Sequence, residues 1–267
     1  MSTLALAVQL YGPHREDGAK ALLSLISELA EGLQVQATLH PVPPDGWVDV
    51  ELSGEDAEVA EALITRNVGL RPRSLGELAV SQRLKGRVFG RDSEGGLQID
   101  VGLTQPKPIQ LSVPAWVLRA QLPYGRRVNA SQLAQLWCLH EHLPLELWLT
   151  QSGDPERSLE AELSERQVGV FTEWVESGLD RVIAVGATLR KVRSALKASR
   201  HLMDAARLDR LGLLEVSVLC KLGTDAPGII HDVGRHLPGV SLYSFQPGRI
   251  LKLERRLERG VSSEAQR

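Results

Sequence analysis

Few places in this sequence have residue types and spacings suited to chemistry. The stretch CLHEH sets Cys138, His140 and His142 at alternate positions. A helix turns alternate residues to different sides, whereas metal pairs on a helix stand three or four apart, so this spacing speaks against a zinc site. His201 and Asp204 stand three apart, close enough on one helical face to pair as an imidazole and a carboxylate. The loop GTDAPG, Gly223 to Gly228, reads as a helix start with Thr224 or Asp225 as cap and Pro227 in the first turn. Free backbone N–H groups at such a start can hold an anion, with Gly223, Thr224 and Gly228 allowing close approach. Against that, Asp225 would repel a phosphate, and the GxxxxGK[ST] spacing of a phosphate-binding loop is missing. The sequence also has no GxSxG, no HExxH and no GxGxxG after a strand. No catalytic residue, metal or cofactor is therefore assigned.

Charge points elsewhere. The net charge is −2, yet residues 1–70 hold 3 Lys/Arg against 11 Asp/Glu, and residues 83–127 hold 8 against 3. Residues 128–180 return to 2 against 10, and 181–210 hold 8 against 2. Two basic blocks in an acidic chain matter for polyanion binding, because counterion release depends on the local surface rather than on the total. In the first block Lys85, Arg87, Arg91 and Arg119 are candidates for an RNA-binding face, with Phe89 and Trp116 as stacking residues. In the second, Arg190, Lys191, Arg193 and Lys197 recur at three- and four-residue steps and form a stripe.

The elements that must carry these residues follow from periodicity. TLALAVQLYG alternates as a strand, EDGAKALLSLISELAEGL has helical spacing, and QVQATLHPV and WVDVELSG are two more strands around Pro43-Pro44-Asp45-Gly46. EDAEVAEALITRNVG makes a second helix, which gives a βαββα sandwich over residues 1–72. LKGRVFGRD and GGLQIDVGL form a hairpin around Asp92 to Gly96, and KPIQLSVPAWVL is a third strand that leaves the sheet at Pro114. NASQLAQLWCLHEH reads as a helix capped by Asn129 or Ser131. LPLELWLTQ and RSLEAELSE close the set around Gly153-Asp154-Pro155. Five strands with a helix between the third and fourth is the order of an OB-type barrel, over residues 80–165. A C-terminal α/β unit, 166–255, holds one long basic helix over ATLRKVRSALKASRHLMDAARLDRLG, then strand, GTDAPG loop, helix and strand. Residues 256–267 form a polar tail. The fold class is mixed α+β.

Gly86-x-Val88, the Gly95-Gly96 turn, IDVG at Ile99 to Gly102 and the closing LELWLT and LEAELS resemble an S1-type RNA-binding OB domain. One departure is that the second strand offers none of the aromatic residues such domains use to stack bases. At LDRVIAVGATLRKVRSALKASRH and CKLGTDAPGIIHDVG the chain resembles an archaeal family, the domain-of-unknown-function family twenty-one-ten. That resemblance implies an archaeal cytosolic protein and no particular activity.

No apolar run approaches the roughly 20 residues that span a bilayer, and MSTLALAVQLYGPHRED lacks the basic start of a signal peptide, so a cytoplasmic protein without membrane contact is expected. Cys138 and Cys220 form no CxxC pair and read as core. The functional expectation is a non-catalytic protein of archaeal RNA metabolism or translation, bound to single-stranded or ribosomal RNA, with a protein complex as a further partner. Two alternatives are an adaptor whose acidic N-terminal domain meets a basic protein, and an RNA-modifying or phosphate-ester enzyme built on the GTDAPG loop.

Overall fold

Strand alternation in the first 70 residues fixes which side of a sheet is buried. The computed structural model describes residues 2–104, 108–125, 128–151 and 159–252. Strand β1 (Ser2–Gln9), helix α1 (Arg15–Leu29), strands β2 (Val35–Leu39) and β3 (Trp47–Gly54) and helix α2 (Ala57–Asn67) form the expected βαββα unit. The sheet order is β1-β3-β2, with both pairs antiparallel. Leu4, Leu6 and Val8 alternate onto one face and share a core with Leu22 and Ile26 of α1 and Ile64 of α2. After α2 the chain comes back to the sheet. Ala7 N–H donates to the Gly69 carbonyl and Arg71 N–H to that of Ala5, so Leu70 bridges Leu6 antiparallel. A rudimentary fourth strand thus lies beside β1.

The middle of the chain is a closed barrel. Strands β4 (Arg83–Arg91), β5 (Leu97–Leu103), β6 (Ile109–Val113), β7 (Pro144–Gln151) and β8 (Leu159–Leu163) run in the order β4-β5-β6-β8-β7 and close on themselves. Every pair is antiparallel except β6 with β8. Helices α3 (Ala115–Gln121) and α4 (Ala130–Leu136) lie between the third and fourth barrel strands, as the OB-type reading expects. The residues after Pro114 coil into α3 instead of continuing a strand, because Pro114 caps that helix. The helix expected through CLHEH is also shorter. Asn129 caps α4 by accepting from Gln132 N–H at 2.8 Å, but the backbone turns left-handed at Cys138 (φ 54°) and the rest of CLHEH is loop. The Gly153-Asp154-Pro155 turn and the 256–267 tail lie outside the described residues.

The C-terminal unit contains α5 (Glu165–Glu176), β9 (Arg181–Val185), α6 (Leu189–Ala198), β10 (Ala205–Arg210), β11 (Glu215–Cys220), α7 (Ala226–Val233) and β12 (Ser241–Phe245). Its sheet order is β10-β11-β9-β12, antiparallel throughout. This βαββαβ path is the ferredoxin-like arrangement. The N-terminal unit follows the same path, with its first strand central, its third beside it and the chain returning on the other flank at Leu70. The basic helix expected as one run over 187–212 is two elements. Helix α6 stops after Ala198, Arg200 turns left-handed (φ 67°), and Ala205–Arg210 pairs with β11 as an edge strand. Arg207 and Asp209 share one side at the strand period of two and pair at 2.8 Å, so the ladder overrides the local helical preference.

The units interlock. Ile183 and Val185 of β9 join the barrel's core with Phe171, Trp174 and Phe245, while Val182 and Ala184 point the other way, into the core under α6 and α7. Leu213 and Leu214, from the β10–β11 turn, are buried in the N-terminal core. Among the described residues no helix is long and apolar enough to cross a membrane.

Candidate nucleic-acid interface

Strand β4 carries half of the first basic block, and its residues go to different places. Arg83 is exposed and lies over the Trp148 ring at 5.0 Å. The Lys85 stem is exposed, but its ammonium turns inward and donates to the Val68 carbonyl at 2.8 Å; burial lowers its pKa. Arg87 is 4% exposed. Its Nη1 donates at 2.5 Å to Oε1 of Glu215, which is fully buried, and at 3.2 Å to the His142 carbonyl. The hydroxyl of Tyr11 donates to the same Glu215 oxygen at 2.5 Å. This corrects the assignment of Arg87 to an RNA face, because a guanidinium that is 4% exposed and paired with a buried carboxylate 128 residues away is not open to an RNA backbone.

The far end of β4 is open. Phe89 is 51% exposed, and Arg91, two residues on, is exposed as well. Asp92, next in the chain, is turned onto its own hairpin and accepts from the N–H groups of Glu94 and Gly96. Arg91 lies near His140, and burial together with that positive neighbour lowers the His140 pKa. His140 in turn stacks on Tyr243 of β12, with ring centroids 3.8 Å apart and planes at 11°. The result is an aromatic and cationic strip at the seam between the barrel and the C-terminal sheet: Phe89, Arg91, His140 and Tyr243. Neither His140 nor Tyr243 was singled out from sequence for this strip, since a stack between residues 103 apart leaves no local pattern.

Other candidates lie elsewhere. Trp116 is 70% exposed on α3, in a shallow hollow with Thr150, Glu160 and Glu162. Thr150 lies on β7 past the Arg83–Trp148 pair, at the start of β4, whereas Phe89 lies near the far end of β4, and the hollow's carboxylates disfavour a polyanion, so Trp116 does not complete a face with Phe89. Arg119 is exposed on the same helix. Helix α6 presents Arg190, Arg193 and Lys197 to solvent from the sheet side opposite the barrel. Lys191 is used internally, bonded to His14 Nδ1 at 3.0 Å and Asp17 at 3.2 Å on the N-terminal unit. The C-terminal sheet stands between this stripe and the barrel, so the two basic blocks do not form one surface.

The GTDAPG loop is a helix cap. Asp225 accepts from Gly228 N–H at 3.0 Å, and Asp180 accepts from Ala226 N–H at 3.2 Å. Thr224 donates to the Lys221 carbonyl. Two carboxylates occupy the groups an anion would need, which corrects the anion reading at Gly223, Thr224 and Gly228. His201 does pair with Asp204, at 2.7 Å through Nδ1, and its Nε2 meets Asp232 at 3.0 Å; those two bonds raise its pKa. Cys138 is buried, which pushes its thiol up to about 12, far from a reactive thiolate. The imidazoles of CLHEH act as clamps. His142 stacks on Tyr11 of the N-terminal unit at 3.7 Å, and His140 on Tyr243 of the C-terminal unit.

Residues 3–74 match the family model described as the DUF2110 N-terminal domain, and residues 179–243 the DUF2110 C-terminal domain, together just over half of the chain. The chain belongs to the DUF2110 family. No curated protein matches it significantly. The two DUF2110 matches coincide with the two ferredoxin-like units, and the barrel falls in the interval between them. In this DUF2110 chain the strip of Phe89, Arg91, His140 and Tyr243 therefore joins the central barrel to the C-terminal family domain.

Proposed function

We propose that the protein is a non-catalytic RNA-binding protein that engages single-stranded RNA at the barrel seam. One observation carries this reading: Phe89 stands exposed on a barrel strand, with Arg91 beside it and the half-buried His140–Tyr243 stack next to that arginine. A base can stack on an open ring of this kind while a neighbouring guanidinium meets its phosphate. On this reading the protein works in the cytoplasm of an archaeal cell, in RNA metabolism or translation. Arg190, Arg193 and Lys197, across the sheet, are left for a second segment of RNA or a protein partner.

The test is binding of the full-length protein to single-stranded RNA over a range of salt. Loss of the ring in Phe89→Ala should cost about 1–3 kcal/mol, near 5- to 150-fold in affinity. Arg91→Gln should lower the magnitude of the log–log salt slope by about 0.7, and Trp116→Ala should leave both quantities unchanged. Parental affinity and slope in both Phe89→Ala and Arg91→Gln would reject the seam as the RNA site.

A further inference from the structure

The three units meet around a cleft of about 360 Å³, lined from all of them. One part is apolar, formed by Leu22 and Leu25 of α1, Val170, Phe171 and Trp174 of α5, and Leu213 of the β10–β11 turn. The other is polar, with Lys85, Arg87, Arg166, Arg210 and the amides of Asn67 and Gln167. Against four cations the lining holds one carboxylate, Glu146. That carboxylate is already engaged: Oε1 accepts from the Ser164 hydroxyl at 2.8 Å, and the side chain lies 3.7 Å from both Arg83 and Arg166.

Two buried groups at this end have unused bonding capacity. Arg87 spends Nη1 on Glu215 and the His142 carbonyl, whereas Nη2 has no partner among the described residues. Glu215 Oε2 is buried and likewise without a partner. Both atoms border Gly212, a lining residue, where a Cβ would collide with Glu215 Oε2 and stand 3.4 Å from Arg87 Nη2. The Arg87 Nη2 donor can meet an anion, whereas the Glu215 Oε2 acceptor cannot, its charge being balanced by Arg87 through Oε1. The partly desolvated Lys85 ammonium adds to the positive character of this end, and an anion alongside it would favour its charged form.

We propose that this cleft is a binding site for one small organic anion, a phosphate or carboxylate head on an apolar body. The head lies among Lys85, Arg87 and Arg166, and the body lies against Leu25 and Val170, the partly exposed apolar residues of the lining. The volume falls within the range of roughly 300–1,000 Å³ typical of small-molecule sites. Neither Phe89 nor Arg91 lines the cleft, so the assignment does not depend on RNA binding.

Calorimetric titration of the full-length protein with AMP in one arm and octanoate in another distinguishes the two head groups. Adenosine and octanol serve as uncharged counterparts. At least one anion should bind saturably with one-to-one stoichiometry and at least tenfold more tightly than its counterpart. Arg166→Ala should weaken that binding about tenfold or more, as loss of a charge-assisted contact does. The Arg166 side chain is 75% exposed, so this variant tests the site without threatening the fold. Lys85→Met should act in the same direction. Absence of binding by both anions at millimolar concentration, equal binding of the uncharged counterparts, or parental affinity in Arg166→Ala would each overturn the site. AMP binding that is lost in Phe89→Ala but kept in Arg166→Ala would place that ligand on the barrel seam and overturn it as well.

Discussion

Replacing Arg87 with methionine should destabilise the protein by about 3–5 kcal/mol, because it leaves the fully buried Glu215 without its cation. The structure sets the size of the effect. Glu215 Oε2 already lacks a partner, and Oε1 would keep only the Tyr11 hydroxyl, so no other described group moves in to neutralise the charge. Against a total stability of about 5–15 kcal/mol the loss is large. It is best measured by urea denaturation of four proteins: parent, Arg87→Met, Glu215→Gln and the double variant. In the double variant the buried charges are gone and the amide can still accept from Tyr11, so it should recover most of what Arg87→Met loses. The coupling should reach about 2 kcal/mol or more, within the range for residues in direct contact. A loss below about 1 kcal/mol in Arg87→Met, or strictly additive single effects, would refute the reasoning and return Arg87 to the surface.

Two further outcomes follow from the polar clusters. Both neighbouring carboxylates raise the pKa of His201, so its stabilisation should be full below its unfolded pKa of about 6.5 and fade as pH rises through the higher folded value; the melting-temperature gap between parent and His201→Gln should shrink from acid to alkaline pH, and a gap that grows with pH would contradict the pairing. Asp225→Ala should cost on the order of 1 kcal/mol as a lost helix cap, read from urea denaturation, and an unchanged midpoint would contradict the cap.

Where a residue's partner lies nearby in the chain, the sequence was readable. The βαββα path, the barrel strands and the α7 cap all rest on periods of two or 3.6 or on a cap and its first turn, which are local patterns. Helix α6 and strand β10 were not separable that way, since the largely polar, partly exposed residues of 199–210 carry no strong apolar period and only the ladder to β11 decides. The site was less legible than the fold. Lys85, Arg87 and Arg91 have one chemistry and alternate along one strand, yet their ends lie at a carbonyl, a buried carboxylate and open solvent. What distinguishes them is which domain covers that stretch of β4, a long-range property that no spacing encodes. Gly102 is an intermediate case: its φ of +80° and the close approach of Arg71 Cδ and the Trp47 ring explain the glycine of IDVG once the N-terminal unit is seen against the barrel.

The burial of Leu213 and Leu214 in the N-terminal core also fixes an order of events during synthesis. The first sheet and its two helices leave the ribosome early, but part of their core is supplied by a turn roughly 150 residues further on, which at 5–20 residues per second means a wait of about 7–30 s. During that wait the α1 side that later meets Leu214 stays open to water and to other chains. The nascent N-terminal unit therefore completes its core only when much later residues arrive, although it is the first to be made, and slower translation lengthens its exposure.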